Sequence, residues 1–339
     1  MTLPETSPRL NPIAISVVVP VRDEEDSIRA LLNGLLGQTL SPDEIVITDG
    51  GSVDGTRSII EEFIRDGAPV KLIVDDDSLP GRSRNLAVAS ARNDWIAFID
   101  AGIRPSPDWL ACLAEKVADG STVDVVYGNY EPIVDSFFRE CAAIAYVPPA
   151  TITSEGPLRP HSIASALMRR VAWQKAGGFP EDLRSAEDLV FMNKVERAGF
   201  RIVRAPRALV YWTIKPGLWT TFKRFVVYAR NNIRAGLFRQ WQAAIFLRYG
   251  VLAILIVPAI FFGWRWLLVP VTGWFLLLLM RGAKALWRNR ARSRGVVRNA
   301  LRLLTLVPII ATLDAAAFAG SISWLLFDKL HATRRRLRQ

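Results

Sequence analysis

The sequence predicts an α/β protein, a Rossmann-like, mostly parallel sheet flanked by helices, followed by an α-helical membrane region. Three observations predict it. Four short apolar runs alternate with helical patterns within the first hundred residues, the signature of βαβ units. Three of those runs stop at carboxylates, Asp49, Asp75 and Asp100. The charge is also divided: residues 1–212 hold 22 Lys/Arg against 30 Asp/Glu, whereas residues 213–339 hold 21 Lys/Arg against Asp314 and Asp328 alone.

Ile13 to Pro20 is β-branched and reads as a buried parallel strand. Residues 26–37 follow as an amphipathic helix with Ile28, Leu31, Leu32, Leu35 and Leu36 on one face. Residues 44–48 form a second strand that runs into Asp49-Gly50-Gly51-Ser52-Val53-Asp54-Gly55-Thr56. The glycines let the backbone turn tightly and approach a ligand, and Ser52 or Asp54 caps a helix over 56–65. Val70–Val74 is the third strand, a helix spans 83–92, and Trp95–Ile99 is the fourth strand, ending in Asp100-Ala101-Gly102. Ligands of open α/β sheets bind just beyond the carboxyl ends of strands. Strand-end carboxylates repel one another unless they face a cation or accept hydrogen bonds, so the set points to a nucleotide and divalent-metal site. No GxxxxGK[ST] loop and no GxGxxG after the first strand is present, which argues against a P-loop NTPase and a dinucleotide oxidoreductase. The only histidines, His161 and His331, exclude a His-rich metal site and disfavour a Ser-His-Asp triad. Cys112 and Cys141 give no disulfide framework and suit a reducing compartment.

Four stretches in order, PVRDEED (20–26), TDGGSVDGT (48–56), GRSRNLAVASAR (81–92) and FIDAG (98–102), resemble a family 2 glycosyltransferase of GT-A fold. Met168-Arg169-Arg170, Ala176-Gly177-Gly178-Phe179-Pro180-Glu181, Ala186-Glu187-Asp188-Leu189 and Ala198-Gly199-Phe200-Arg201 agree with it. The likeness covers roughly residues 13–240 and is nearest to bacterial exopolysaccharide transferases of the succinoglycan type. It implies that Pro20, Val21, Arg22 and Glu24 lie along the base and ribose of a nucleotide sugar, with Asp49 and Gly51 at the base. Arg84 would then pair with base or diphosphate, and Asp100 would hold a divalent cation, Mg²⁺ or Mn²⁺. The family's DxD motif here ends in Gly102, so one carboxylate is offered. Asp188 matches the family's catalytic base and Glu187 orients it or the acceptor. His161 is expected to hold a loop by a hydrogen bond.

Residues 219–237 read as a basic amphipathic helix suited to a membrane interface. Arg230 and Arg234 either meet an acceptor diphosphate, as the resemblance implies, or only anchor the helix. Two apolar runs, 249–263 and 266–280, flank Trp264-Arg265-Trp266 and read as a hairpin with an aromatic tip. Residues 281–302 carry eight Lys/Arg and no acid, which places them in the cytosol. A third run, 303–327, is long enough to span, with a re-entrant or interfacial helix as the alternative; residues 329–339 are basic. Residues 1–12 are polar, and the run at 13–19 is too short and β-branched for a signal peptide.

The expected organisation is a tail (1–12), a GT-A catalytic domain (13–215), interfacial helices (216–245), a transmembrane hairpin (246–280), a basic loop (281–302), a third membrane helix (303–328) and a basic tail (329–339). The expected function is an inverting, non-processive glycosyltransferase on the cytoplasmic side of the inner membrane. It would move a sugar from a UDP-sugar or other nucleotide sugar to a polyprenyl-diphosphate-linked saccharide, within a polysaccharide assembly complex. A polyprenyl-phosphate glycosyltransferase and an inactive sugar-nucleotide-binding scaffold are the alternatives. Nucleic acid is not expected as a partner, because the basic residues flank membrane-length apolar runs.

Overall fold

The computed structural model describes residues 13–118, 122–289 and 295–329. They form two compact units. The first comprises residues up to Glu131 and Ala150–Thr213, and the second comprises Pro132–Pro149 and the chain from Ile214.

The first unit begins as a βα repeat: β1 (Ile15–Val21), α1 (Glu25–Leu36), β2 (Glu44–Asp49), α2 (Thr56–Arg65), β3 (Val70–Val74), α3 (Pro80–Ser90) and β4 (Trp95–Phe98). It continues with β5 (Ile103–Pro105), α4 (Trp109–Ala114) and β6 (Val125–Ile133). After α5 (Phe137–Tyr146), which belongs to the second unit, come a hairpin β7 (Thr151–Thr153) and β8 (Gly156–Leu158), then β9 (Ala166–Arg169), α6 (Arg170–Lys175), α7 (Glu187–Arg197) and β10 (Ile202–Thr213). The stretch 130–165 therefore holds a helix and a hairpin.

Eight strands make one sheet in the order β3-β2-β1-β4-β9-β6-β10-β5. β1 pairs parallel with β2 and β4, β2 pairs parallel with β3, and β9 runs antiparallel to β4 and β6. The first three strands are laid outward from β1, and β4 returns to its other side. The gap beyond the ends of β1 and β4 is thus the switch point of the sheet, where such folds bind ligands.

Period-two alternation sends neighbouring residues to opposite faces. Val17, Val19, Ile45, Ile47, Ala97 and Ile99 pack on one side with Ile28, Leu31 and Leu35 of α1 and Trp109 of α4. Val18, Val46, Ile96 and Phe98 pack on the other with Val88 of α3 and Phe191 of α7. Burying both faces explains why these strands are apolar throughout, each Val or Ile being worth about 1.5–3 kcal/mol. β3, at the sheet edge, exposes Lys71 and Val74.

The second unit is helical: α5, α8 (Leu218–Arg234), α9 (Phe238–Trp241), α10 (Ala243–Ile254), α11 (Ala259–Phe262), α12 (Leu268–Arg288) and α13 (Val296–Ser323), the last continued by a wider turn over Trp324–Lys329. Three stretches are long and apolar enough to cross a membrane: Ala243–Phe262, Trp264–Arg288 and Val296–Lys329. The segment 281–302, expected as a loop, is helical to Arg288 and again from Val296; its middle, 290–294, lies outside the described residues. The reason is packing. Leu278, Ala285 and Leu286 of α12 join Leu306 and Ile310 of α13 and Ile144 of α5 in one cluster, so an apolar stripe continues beneath the basic residues.

Candidate active site at the sheet edge

The loops after β1 and β2 are tied to each other. Asp23 donates its N–H to Ser52 Oγ (2.9 Å), Val53 returns its N–H to Asp23 Oδ1 (2.9 Å), and Glu24 donates its N–H to Thr56 Oγ1 (2.8 Å). The cap residue of α2 is Gly55, without a side-chain cap, rather than Ser52 or Asp54: Asp54 Oδ1 accepts the Thr56 N–H (3.0 Å) from just before it, and Ser52 serves the β1 loop. Gly51 has φ +90°, and a Cβ there would strike the Asp76 carbonyl, so no other residue fits.

Each strand-end carboxylate has an arginine from a helix beside it, α2 for Asp49 and α3 for both Asp75 and Asp100. Arg57 Nε donates to Asp49 Oδ1 (2.8 Å) and also pairs with Asp76. Arg82 Nε donates to Asp75 Oδ2 (2.7 Å), and Arg84 Nη2 donates to Asp100 Oδ1 (2.6 Å). The expected repulsion along this edge is thus relieved by guanidinium groups. Asp49 is fully buried. Burial pushes its pKa up, but hydrogen bonds from Ser52, Arg57 and Gly51 outweigh this and hold it below the usual carboxylate range. Its Oδ2 is buried without a partner, an acceptor left for a donor from outside the chain.

Arg84 is the node of the site. Its buried guanidinium also donates from Nη1 to Glu187 Oε1 (2.7 Å) and lies 5.4 Å from the Phe179 ring centre. The start of α7 is thereby bound to the end of β4. Ala186, just before α7, has φ +69°, a left-handed conformation that costs a non-glycine residue about 1 kcal/mol. That turn brings Glu187 and Asp188 together at the helix start. Asp188 Oδ1 accepts the Leu189 N–H (2.8 Å), and Glu187 Oε2 is buried without a partner. Burial and then the neighbouring Glu187 push the Asp188 carboxyl up to about 7, against the pull of Arg84. Three carboxylates, Asp100, Glu187 and Asp188, surround the one buried Arg84 guanidinium.

Pro20, Val21, Arg22, Glu24, Asp49, Gly51, Arg84, Asp100, Glu187 and Asp188 all belong to the first unit. Val21 pairs with Asp49 across the sheet, and Arg22 is exposed beside Asp23 (3.7 Å). Glu24 lies at the Gly102 turn: a Cβ on Gly102, whose φ is +77°, would come 3.3 Å from Glu24 Oε2. The turn itself therefore selects glycine where the family motif has its second aspartate. Arg230 and Arg234 belong to the second unit, where Arg230 makes a two-pronged pair with Asp328 (2.8 and 3.0 Å). His161 pairs with Glu196 (3.2 Å) and stacks on Tyr127. One residue escaped the sequence reading. Arg57 directly follows the glycine-rich loop, a signal that was available. Trp212, opposite Ile103 in the β5–β10 pairing, has a buried indole N–H without a partner, which no sequence pattern announces.

Among the described residues no three His, Cys, Asp or Glu side chains are grouped to hold a metal ion. Asp100, with about a third of its side chain exposed (35 %), offers oxygen donors at the switch point. That donor set fits a hard divalent cation that keeps waters and takes further oxygens from a phosphate.

A doubly wound sheet with this acidic switch-point edge defines the GT-A class of fold. The family model "Glycosyl transferase family group 2" matches residues 95–316, well over half of the chain, and "Glycosyl transferase family 2" matches residues 16–171. The chain belongs to the family 2 glycosyltransferases. It is 25 % identical over 197 residues to glycosyltransferase AglE of Haloferax volcanii, covering 56 % of this chain and 64 % of that protein. It is 28 % identical over 212 residues to the poly(ribitol-phosphate) beta-N-acetylglucosaminyltransferase TarS of Staphylococcus aureus, covering 60 % of this chain and 36 % of that one. The match thus spans less than two-thirds of either relative's length. Among solved structures, the mannosyltransferase PcManGT of Pyrobaculum calidifontis, in complex with GDP-Man and Mn²⁺, shares the fold with a TM-score of 0.55 at 19 % identity, over 95 % of this chain and 90 % of that one.

Proposed function

We propose that the chain is an inverting, non-processive glycosyltransferase that moves a sugar from a nucleotide sugar, UDP-linked by preference, to a polyprenyl-diphosphate-linked saccharide. The observation that carries this reading is the node of Asp100, Glu187 and Asp188 around Arg84 at the switch point. In this reading Asp188 takes the proton of the acceptor hydroxyl as that oxygen attacks C1 of the donor sugar. The C1–O bond to the diphosphate breaks on the opposite face, through a transition state of oxocarbenium character. The raised pKa keeps Asp188 basic enough to accept a proton. Glu187, fixed by Arg84, turns its open Oε2 to an acceptor hydroxyl, and Asp49 Oδ2 accepts from the base. A divalent cation, Mg²⁺ or Mn²⁺, held by Asp100 would supply positive charge to the departing diphosphate. The apolar helices keep the enzyme at the cytoplasmic face of the inner membrane, beside a lipid-linked acceptor and the assembly complex that supplies it.

The test measures nucleoside-diphosphate release by the detergent-purified chain with UDP-, GDP- and TDP-sugars. It is run with and without a polyprenyl-diphosphate-saccharide extract, in Mg²⁺, Mn²⁺ or EDTA. Acceptor-dependent, EDTA-sensitive release from one donor is expected. A product that is a sugar-phosphate-lipid would replace the acceptor by polyprenyl phosphate. Nucleotide binding without release under any acceptor would identify a scaffold and overturn the enzymatic reading.

A further inference from the structure

We infer that α13 does not cross the bilayer: only the hairpin built from α10, α11 and α12 inserts, and α13 lies along the membrane–water interface with both ends on one side. The inference rests on the membrane reading above and deepens it.

Three observations carry it. The first is what α13 touches along its length. Near its start, Arg298 donates to Glu140 of α5 (2.7 Å), Arg302 pairs with the same carboxylate, and Leu306 and Ile310 pack on Ile144. Near its end, Gly320 lies so close to α8 that a Cβ would come 2.5 Å from the Val226 carbonyl oxygen and 2.6 Å from Ala229 Cβ, and Asp328 holds Arg230. α8 carries Lys223, Arg224, Arg230 and Arg234 and cannot lie within hydrocarbon. The helix that is bound to it at one end, and to the ion-paired α5 at the other, stays at the same depth.

The second is where the hairpin meets α13. Phe246 and Tyr249, early in α10, meet the Phe318 ring at centroid distances of 4.5 and 5.1 Å, the first tilted and the second edge-on. Arg281 and Gly282, late in α12, meet Asp314 and Leu303. The two ends of the hairpin thus meet α13 between Leu303 and Phe318, while its far part, including Ile260, Phe261, Phe262 and Trp264, is exposed. None of the most apolar window of Ala243–Phe262 is buried within the chain, against 39 % of that of Val296–Lys329. A helix that lies across the base of a hairpin is not a third member of the same bundle.

The third is length and sidedness. From Val296 to Lys329 there are 34 residues, about 50 Å of helix, well beyond a hydrocarbon core of about 30 Å. Exposed apolar residues, among them Val297, Leu301, Leu304, Ile322 and Leu326, follow a helical stripe that suits the acyl boundary of a phospholipid bilayer. Lying flat puts the two ends of α13, each next to a basic stretch of sequence, on one side, as the charge rule requires; a span would separate them.

The experiment places single cysteines at Val296→Cys and Lys329→Cys, at either end of α13, in a chain whose two buried native thiols are replaced (Cys112→Ala, Cys141→Ala). Each is expressed in sealed vesicles of known orientation and exposed to a membrane-impermeant maleimide. Modification of both from the same side is expected. Modification from opposite sides would mean that α13 spans, and would overturn the inference while leaving the membrane reading intact. Recovery of the chain in the soluble fraction, off the vesicles, would overturn the membrane reading itself. An epitope appended after Gln339 of the otherwise unaltered chain, probed by protease in the same vesicles, gives the same answer without core substitutions.

Discussion

The two units use buried arginine–carboxylate contacts in opposite ways. In the helical unit no acid is in surplus: Arg281 is matched with Asp314 and Arg230 with Asp328, each through two nitrogens of its fork, and Glu140 meets two arginines, Arg298 and Arg302. Tyr249 adds a hydrogen bond to Asp314 (3.0 Å) and receives one from Trp274 (3.1 Å), so α10, α12 and α13 meet at one satisfied cluster. At the sheet edge Arg84 faces three carboxylates, and Glu187 Oε2 and Asp49 Oδ2 are left without partners. Matched charge fixes geometry. Surplus acid that the fold does not neutralise is available to a proton, a substrate or a cation.

The sharpest way to break this contrast is Asp188→Asn. It should lower transfer by about a thousandfold or more, within the range of a lost general base, while nucleotide binding by calorimetry stays unchanged. Retained turnover would remove Asp188 from the chemistry. In the helical unit, Arg281→Ala strands Asp314 and should cost about 3–5 kcal/mol, read as a lowered midpoint of thermal unfolding in detergent. The double variant Arg281→Met with Asp314→Leu should recover most of that loss, which a functional pair would not allow without loss of activity.

A third prediction concerns pH. The folded Asp188 carboxyl sits at about 7 against an ordinary 3.8, so between those values the folded chain binds more protons than the unfolded one. The stability contributed by this group is therefore present at low pH and is lost as pH rises through about 7. Activity should move the other way, with an acidic limb of kcat/KM near pH 7. Thermal midpoints at pH 5 and pH 8 should lie closer together in Asp188→Asn than in the parent chain. The smallest effect expected is that of Ala186→Gly. Relieving the left-handed alanine should stabilise the fold by up to about 1 kcal/mol, with a loss in kcat if the strained turn sets the angle of Asp188.

Much of the site can be read from the sequence because its pieces are local. A strand that ends in Asp49-Gly50-Gly51 or in Asp100-Ala101-Gly102 places a carboxylate and a turn within three residues, and Glu187-Asp188 sits at the start of a helix that its own pattern predicts. The partners were not legible. Arg84 and Glu187 are 103 residues apart, and nothing in either segment says that the same guanidinium also holds Asp100. Pro132–Pro149 reads as part of the catalytic domain, yet it groups with the C-terminal helices through Glu140 and Ile144.

By itself, then, the sequence determined the alternation of strands and helices, the acidic strand ends, the division of charge and the presence of membrane-length apolar runs. These follow from periodicity and composition, which act over a few residues. Only the tertiary structure decided which arginine neutralises which carboxylate, which acid is left in surplus, and which apolar helix packs on basic amphipathic neighbours. Those outcomes depend on the distance and burial of groups far apart in the chain, and burial is what converts an ordinary carboxyl into one that titrates near neutrality.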